Sequence, residues 1–269
     1  MPRAAGGRGR QPPVLKKFGQ HFLTDPTILT AIVDALEPTK SDTVIEIGPG
    51  RGSLTEILAQ RSGKLVAVEI DRALASQLRE KYSAASNVEI VEGDFLETDP
   101  RALVGGDFLL IGNVPYYITT PIVFKALEPP LPGRSVFLVQ REVADRMAAK
   151  ADEESYGALS VNIAAVADVE QVLSVPASAF NPPPKVESAV VRLTPRAMPL
   201  VPADSLAGFR RFVQAAFSQR RKQMVRVMRS VRGLSAEKST ELLETAGIDQ
   251  TARPEAVSPE EFGRLFALL

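Results

Sequence analysis

Four apolar runs, each closed by a small or polar residue, constrain this chain most. Thr43–Ile47 runs into Gly48-Pro49-Gly50-Arg51-Gly52, and Leu65–Val68 ends at Glu69. Val88–Val91 ends in Glu92-Gly93-Asp94-Phe95, and Phe108–Ile111 runs into Gly112-Asn113-Val114-Pro115-Tyr116-Tyr117. Short apolar runs bounded by turn residues read as buried strands. Between them lie helical patterns. Ser53 is placed to cap a helix with Leu54, Ile57 and Leu58 on one face, and Asp71 starts another to about Tyr82. Strands alternating with helices imply a mostly parallel α/β sheet covered on both faces.

The alternation continues on both sides. Thr24 or Asp25 can cap a helix opening at Pro26, with Ile28, Leu29, Ile32, Val33 and Leu36 on its apolar face. Pro121–Leu127 reads as a helix and Ser135–Val139 as a fifth strand. Helices follow over about Glu142–Ala149 and Gly157–Val166. Val169–Val175 and Ser188–Leu193 read as two late strands with no helix between them. They belong at one edge of the sheet, with an antiparallel member. Pro195–Pro202 marks a boundary, beyond which the pattern is helical only. Helices are expected at about 204–217, 219–231, 235–246 and 259–268. The expected organisation is a basic, Gly/Arg/Pro-rich flexible tail over 1–14, an α/β domain over 15–196 and a small all-helical domain over 203–269.

Composition excludes several chemistries. The chain of 269 residues has no cysteine, so it has neither a disulfide framework nor a thiolate metal site. Its one histidine, His21, leaves no Ser-His-Asp triad to build elsewhere and no His-rich metal site, so no metal is expected. No apolar run is long enough to span a membrane, and the N-terminus lacks the apolar segment of a secretory signal. A cytoplasmic protein with no membrane partner is the expectation. Net charge is zero, yet the charges are unevenly spread. Residues 1–22 hold Arg3, Arg8, Arg10, Lys16 and Lys17 and no acid. Residues 210–232 hold Arg210, Arg211, Arg220, Arg221, Lys222, Arg226, Arg229 and Arg232, again without an acid. Such blocks mark either a phosphate-contacting surface or a solvated helix face.

The strand ends carry the chemistry. Gly48-x-Gly50-x-Gly52 reads as a nucleotide-binding turn or simply as a tight strand–helix connection. A dinucleotide fingerprint wants a third glycine where Ser53 stands. Glu69 closes the second strand, where its carboxylate can accept from both hydroxyls of a ribose. Asp94 closes the third and can accept from an adenine amine. Asn113 closes the fourth. Alone, Gly112–Tyr117 reads first as a turn ending a strand. Its Asn oxygen, Pro-fixed carbonyl and Tyr ring also suit an exocyclic base amine. Four successive strand ends aimed at one crevice favour the ligand reading, since open α/β sheets bind ligands beyond the carboxyl ends of their strands.

These residues resemble the ribosomal RNA adenine dimethyltransferases. The likeness is carried by Phe18-Gly19-Gln20-His21-Phe22-Leu23, Glu46–Thr55, Glu69-Ile70-Asp71, Gly93-Asp94-Phe95 and Asn113–Tyr116. It extends through Tyr156–Ser160 and Phe180–Val191 to Phe217-Ser218-Gln219-Arg220-Arg221-Lys222. It covers nearly the whole chain from about Leu15, and its closest branch is the bacterial small-subunit enzymes. The family often carries Asn at the position of His21, and Leu or Ile at Val114.

The resemblance implies a Rossmann-like methyltransferase sheet, S-adenosyl-L-methionine as cofactor and a small C-terminal helical domain that binds RNA. It implies dimethylation of the N6 of two adjacent adenines near the 3′ end of 16S rRNA, in the small ribosomal subunit, by a monomer with a role in subunit biogenesis. His21, Leu23, Gly48, Gly50, Glu69, Asp94 and Asn113 would hold the cofactor, with Glu46 supporting the turn. Asn113 and the Pro115-side carbonyl would orient the adenine amine. Tyr116 would stack on the base and Phe180 would close its other side. Arg220, Arg221 and Lys222, on an Arg-rich helix, and Lys185 would contact RNA phosphates, with Lys16 and Lys17 in addition. Two alternatives use the same fold: an NAD-dependent oxidoreductase and a noncatalytic ribosome-assembly factor. Ser53 argues against the first and the intact Asn113–Tyr116 against the second.

Overall fold

The computed structural model of the chain describes residues 21–269. The expected tail, Lys16, Lys17 and Phe18-Gly19-Gln20 lie outside the described residues. The described residues open with a short strand β1 (Phe22–Leu23) and helix α1 (Pro26–Leu36). Asp25 caps α1 by accepting from the Thr27 and Ile28 amides, and Pro26 takes the first turn, where no amide partner is needed. There follow β2 (Thr43–Ile47), α2 (Ser53–Arg61), β3 (Lys64–Glu69), α3 (Arg72–Lys81) and β4 (Val88–Glu92). Next come α4 (Pro100–Val104), β5 (Leu109–Asn113), α5 (Thr119–Ala126), β6 (Ser135–Gln140), α6 (Arg141–Ala148) and α7 (Ala158–Ala164). The sheet is completed by β7 (Ala167–Val175) and β9 (Ser188–Pro195), with the short β8 (Phe180–Asn181) between them in sequence. Helices α8 (Leu206–Phe217), α9 (Met224–Arg232), α10 (Ala236–Ala246) and α11 (Pro259–Ala267) finish the chain.

The seven-stranded sheet has the order β4-β3-β2-β5-β6-β9-β7. The first five strands are parallel, and β9 runs antiparallel to both β6 and β7. The chain moves from β2 outward through β3 to β4, then returns to place β5 on the other side of β2. That reversal is a topological switch point, and it opens a crevice beyond the ends of β2 and β5. The late strand pair is at the edge, as expected. Its antiparallel member, β9, fills the place next to β6.

Alternate residues of the strands feed two cores. Val44, Ile111, Val136 and Leu138 pack with α1 and α2 on one face. Ile45, Leu110, Phe137 and Val139 pack on the other. That second core continues without a break into the C-terminal helices, through Phe209, Phe212, Val227, Leu243 and Phe262. Phe209 and Phe262 are fully buried, each stabilising by roughly 1.5–3 kcal/mol. The C-terminal helices are therefore part of one packed body. The Tyr156 hydroxyl donates to the Val257 carbonyl at 2.7 Å, and the Asp152 amide to the Glu255 carbonyl at 2.9 Å. The segment after β9 is also tied down, with the Arg196 amide on the Val166 carbonyl and the Leu200 amide on Ala165.

Two local expectations change. Ser53 does not cap α2; it is the first helical residue, and the cap is Gly52 at φ +82° with no side-chain bond. A Cβ at Gly52 would come within 2.8 Å of Leu78, so the close turn excludes a capping side chain there. Arg220, Arg221 and Lys222 are not helical either. They sit on the turn between α8 and α9, and α9 starts only at Met224, whose amide donates to the Ala252 carbonyl at 2.7 Å.

Candidate active site

The ends of β2, β3, β4 and β5 converge on one cavity with about 1120 Å³ of empty space, part of it open to solvent. Its lining includes His21, Leu23, Gly48, Gly50, Glu69, Asp94, Asn113, Pro115 and Tyr116. All of these were expected at the site from sequence. Phe22, Arg51, Ile70 and Tyr117 join them.

The glycine turn leaves room at the mouth of β2. Gly48 and Gly50 adopt φ +62° and +59°, where side chains are strained. A Cβ on Gly48 would meet nothing within 4 Å, so the backbone there borders open cavity. A Cβ on Gly50 would stand 3.1 Å from the Phe22 ring. Glu69 locks this turn: its Oε2 accepts from the Gly50 amide and its Oε1 from the Asp71 amide, both at 2.9 Å. An ionised carboxylate offers about four acceptor positions, so further hydrogen bonds can be accepted. Asp94 Oδ1 accepts from the Leu96 amide at 2.9 Å, which fixes the carboxylate at the end of β4. Ile70 is half exposed beside Glu69 and gives the cavity an apolar wall for a flat ring.

Glu46 lies beneath the turn, almost fully buried, and accepts from the Thr55 hydroxyl at 2.7 Å. Burial, with the nearby Glu69 charge adding to it, pushes its carboxyl up to about 8 against the stabilising Thr55 bond. Burial also raises Glu69, against the two backbone amides that favour its charge. Both shifts come first from desolvation, so they mark a dry floor beneath the turn. Gly48 borders open cavity, Glu69 and Asp94 bring carboxylate acceptors to it, and Ser53 stands where a dinucleotide turn has its third glycine. The residues therefore fit S-adenosylmethionine better than a dinucleotide.

Asn113 joins the two sides of the crevice. Its Nδ2 donates to the His21 carbonyl at 3.3 Å, tying the end of β5 to the N-terminal loop. Beyond it, Pro115 opens a tight turn. Its own carbonyl accepts from the Ile118 amide at 3.1 Å and the Thr119 hydroxyl at 3.3 Å. The carbonyl that Pro115 fixes for a ligand is therefore that of Val114, which accepts no hydrogen bond among the described residues. Tyr116 bonds Ser188 through its hydroxyl at 2.6 Å, and burial raises its hydroxyl above the usual range. The His21 ring lies over it at 5.9 Å and 22°, anchored by Nδ1 to the Pro182 carbonyl at 2.9 Å.

Some expected residues lie elsewhere. Phe180 is not in the cavity lining. It pairs with Leu23 across β8 and β1, is nearly fully buried, and packs with the core on the α1 side. The ring that faces Tyr116 is His21. Lys185 is exposed on the loop before β9, and Arg220, Arg221 and Lys222 are exposed on their turn. None of these four lines the cavity. Arg210, part of the basic block, turns inward. It donates to the Leu127 carbonyl at 3.0 Å and lies over the Phe124 ring, and burial lowers its pKa.

A parallel sheet with a single antiparallel insertion, and a strand-end crevice of this chemistry, define a Rossmann-like methyltransferase. The chain belongs to the ribosomal RNA adenine dimethylase family, whose model matches residues 14–269. It is 42% identical over 260 residues to the ribosomal RNA small subunit methyltransferase A of Bacillus mycoides (strain KBAB4), covering 93% of this chain and 89% of that protein. The protein of the same name from Bacillus cereus (strain B4264) is 41% identical over the same shares. Among solved structures, a dimethyladenosine transferase from Plasmodium falciparum superposes with a TM-score of 0.76 at 27% identity, over 91% of this chain and 96% of that one. The 23S rRNA methyltransferase ErmE gives 0.72 at 32% identity, over 91% and 98%. The chain is thus an rRNA adenine dimethyltransferase, and the matches support neither the oxidoreductase nor the noncatalytic alternative. Among the described residues, no helix is long and apolar enough to cross a membrane.

Proposed function

We propose that this enzyme dimethylates the N6 of two adjacent adenines near the 3′ end of 16S rRNA in the small ribosomal subunit, with S-adenosylmethionine as donor. The observation that carries this reading is the convergence of Gly48, Gly50, Glu69, Asp94, Asn113 and Tyr116 on one cavity at the switch point of the sheet. The small subunit is favoured by relatives more than 40% identical that bear its name, against 32% for the 23S enzyme.

When bound, the donor supplies a methyl group already activated on a sulfonium. The chain supplies position. Gly48 and Gly50 leave space for the donor's methionine end. Glu69 accepts from its ribose hydroxyls and Asp94 from its adenine amine, while Ile70 covers the ring. With its Nδ2 spent on His21, Asn113 has its Oδ1 to accept from the N6 of the target adenine. The Val114 carbonyl, fixed by Pro115, accepts the second N–H. Two acceptors on one amine turn its lone pair toward the methyl and favour the positive charge that grows on nitrogen. No strong base is required, in keeping with a single histidine. Tyr116 holds the unstacked base once the His21 ring gives way. Arg220, Arg221, Lys222 and Lys185 grip backbone phosphates without reading sequence. Both halves of the site come from one chain, in keeping with a monomer, and a ribosomal substrate is in keeping with a cytoplasmic location.

Incubation with unmethylated small subunits and labelled donor, followed by mapping of the modified bases, tests the reading. Label on two adjacent adenines near the 3′ end is expected. Label confined to large-subunit RNA would overturn it.

A further inference from the structure

We infer that Tyr117 is a second stacking platform, which holds the nucleotide next to the target adenine while Tyr116 holds the target. This rests on the proposed action on two adjacent adenines. Tyr117 is 61% exposed, yet it lines the same cavity as Asn113 and Tyr116. The chain's other three tyrosines are engaged. Tyr116 bonds Ser188, Tyr156 bonds Val257, and the Tyr82 ring takes the Lys81 ammonium at 5.1 Å. Tyr117 has neither a ring partner nor a hydroxyl hydrogen bond among the described residues.

A flexible ring would lose its gain from stacking to ordering, but this one is presented on a fixed turn. Tyr116–Ile118 is one turn of 3-10 helix, closed by the Ile118 amide on the Pro115 carbonyl at 3.1 Å and followed directly by α5. In such a turn successive residues point about a third of a revolution apart. Tyr116 is directed inward to Ser188, so Tyr117 is directed away from it, toward solvent at the cavity mouth. Two rings on adjacent residues, one half-buried and one exposed, match a substrate in which one base is drawn in and its neighbour stays outside. An exposed aromatic face takes any base, so Tyr117 positions the RNA and adds no base selectivity of its own.

Tyr117→Ala and Tyr117→Phe are compared with the parent enzyme on unmethylated small subunits. Loss of one base–ring stack is expected to raise KM for small subunits about tenfold in Tyr117→Ala, and to weaken their binding without donor by a similar factor. The kcat, the affinity for S-adenosylmethionine and the melting temperature stay at parent values, and Tyr117→Phe restores binding. Unchanged KM and binding in Tyr117→Ala would overturn the inference, as would a Tyr117→Phe variant as impaired as Tyr117→Ala. Binding without donor is read independently of methyl transfer. A parent enzyme that binds small subunits through Tyr117 but labels none of them would sink the proposed function and leave the platform standing.

Discussion

The two sides of the crevice are built differently. The donor side stands on the ends of β2, β3 and β4, where Glu69 is buried and already bonded to the Gly50 and Asp71 amides. The RNA side stands on turns: Tyr116–Ile118 after β5, the loop before β9 and the 218–223 turn, with Tyr117, Lys185, Arg220, Arg221 and Lys222 exposed. The ends of β2 and β3 are fixed by neighbouring strands on both sides and that of the edge strand β4 by β3, so they can hold a small ligand in one geometry. Turns accept solvent before binding and a large, folded RNA after it. Rigidity is thus concentrated where the donor must be placed. On the proposed function, adaptable groups are used where the grip on phosphate need only be strong.

The contrast breaks most readily at Gly50. Gly50→Val forces a branched side chain to φ +59° and against the Phe22 ring. Affinity for S-adenosylmethionine is expected to fall by more than ~100-fold in calorimetry, from strain and reduced space together. Binding of small subunits without donor should stay within a few-fold of the parent. Equal losses on both sides would show that the two halves are not separable.

A smaller effect comes from the buried acid under the turn. The Glu46 carboxyl is raised in the folded chain from the ordinary 4.5 to about 8, so between those values the folded state holds a proton that the unfolded state has released. Its contribution to stability is fully present below about pH 4.5 and is lost as pH rises through about 8. Denaturant titrations should show parent stability falling relative to Glu46→Gln across that window. A constant difference between the two across the window would mean that burial does not hold the proton there.

The smallest single effects belong to the RNA side. Arg221→Ala should weaken binding of small subunits a few-fold. The dependence of log K on log salt should become shallower by about 0.7 for each phosphate that is no longer neutralised. Affinity for the donor should not change. An unchanged salt slope would remove Arg221 from the phosphate-binding set.

The strand-end lining of the cavity was legible in the sequence because each of its parts is local. An apolar run followed at once by Gly48, Glu69, Asp94 or Asn113 announces both the strand and the group at its end, and the alternation with helices announces the sheet. What could not be read there depends on distant partners. Phe180 looked like an aromatic beside a Pro-rich loop, but pairing of β8 with β1 buries it. His21 reaches Tyr116 only because the N-terminal loop is held by Pro182 and Asn113. The helix expected through Arg220–Lys222 has no proline or glycine to interrupt it. It starts late, at Met224, whose amide is taken by the distant Ala252 carbonyl. Arg210 was indistinguishable in sequence from its basic neighbours until Leu127 and Phe124 came beside it. Ile70 carries a readable signal as an apolar residue immediately past the end of β3, and Tyr117 as a second aromatic on the turn after β5.

Asn113 is where the two sides meet, with its amide nitrogen on the His21 carbonyl and its oxygen, in the proposed mechanism, on the adenine amine. The most direct test of that junction is Asn113→Ala, measured for donor binding and for methyl transfer to unmethylated small subunits. The account predicts donor affinity within about tenfold of the parent and a single-turnover rate lower by ~100-fold or more, as expected when groups that position and stabilise the reacting amine are removed. Methyl transfer at the parent rate with donor saturating would contradict it.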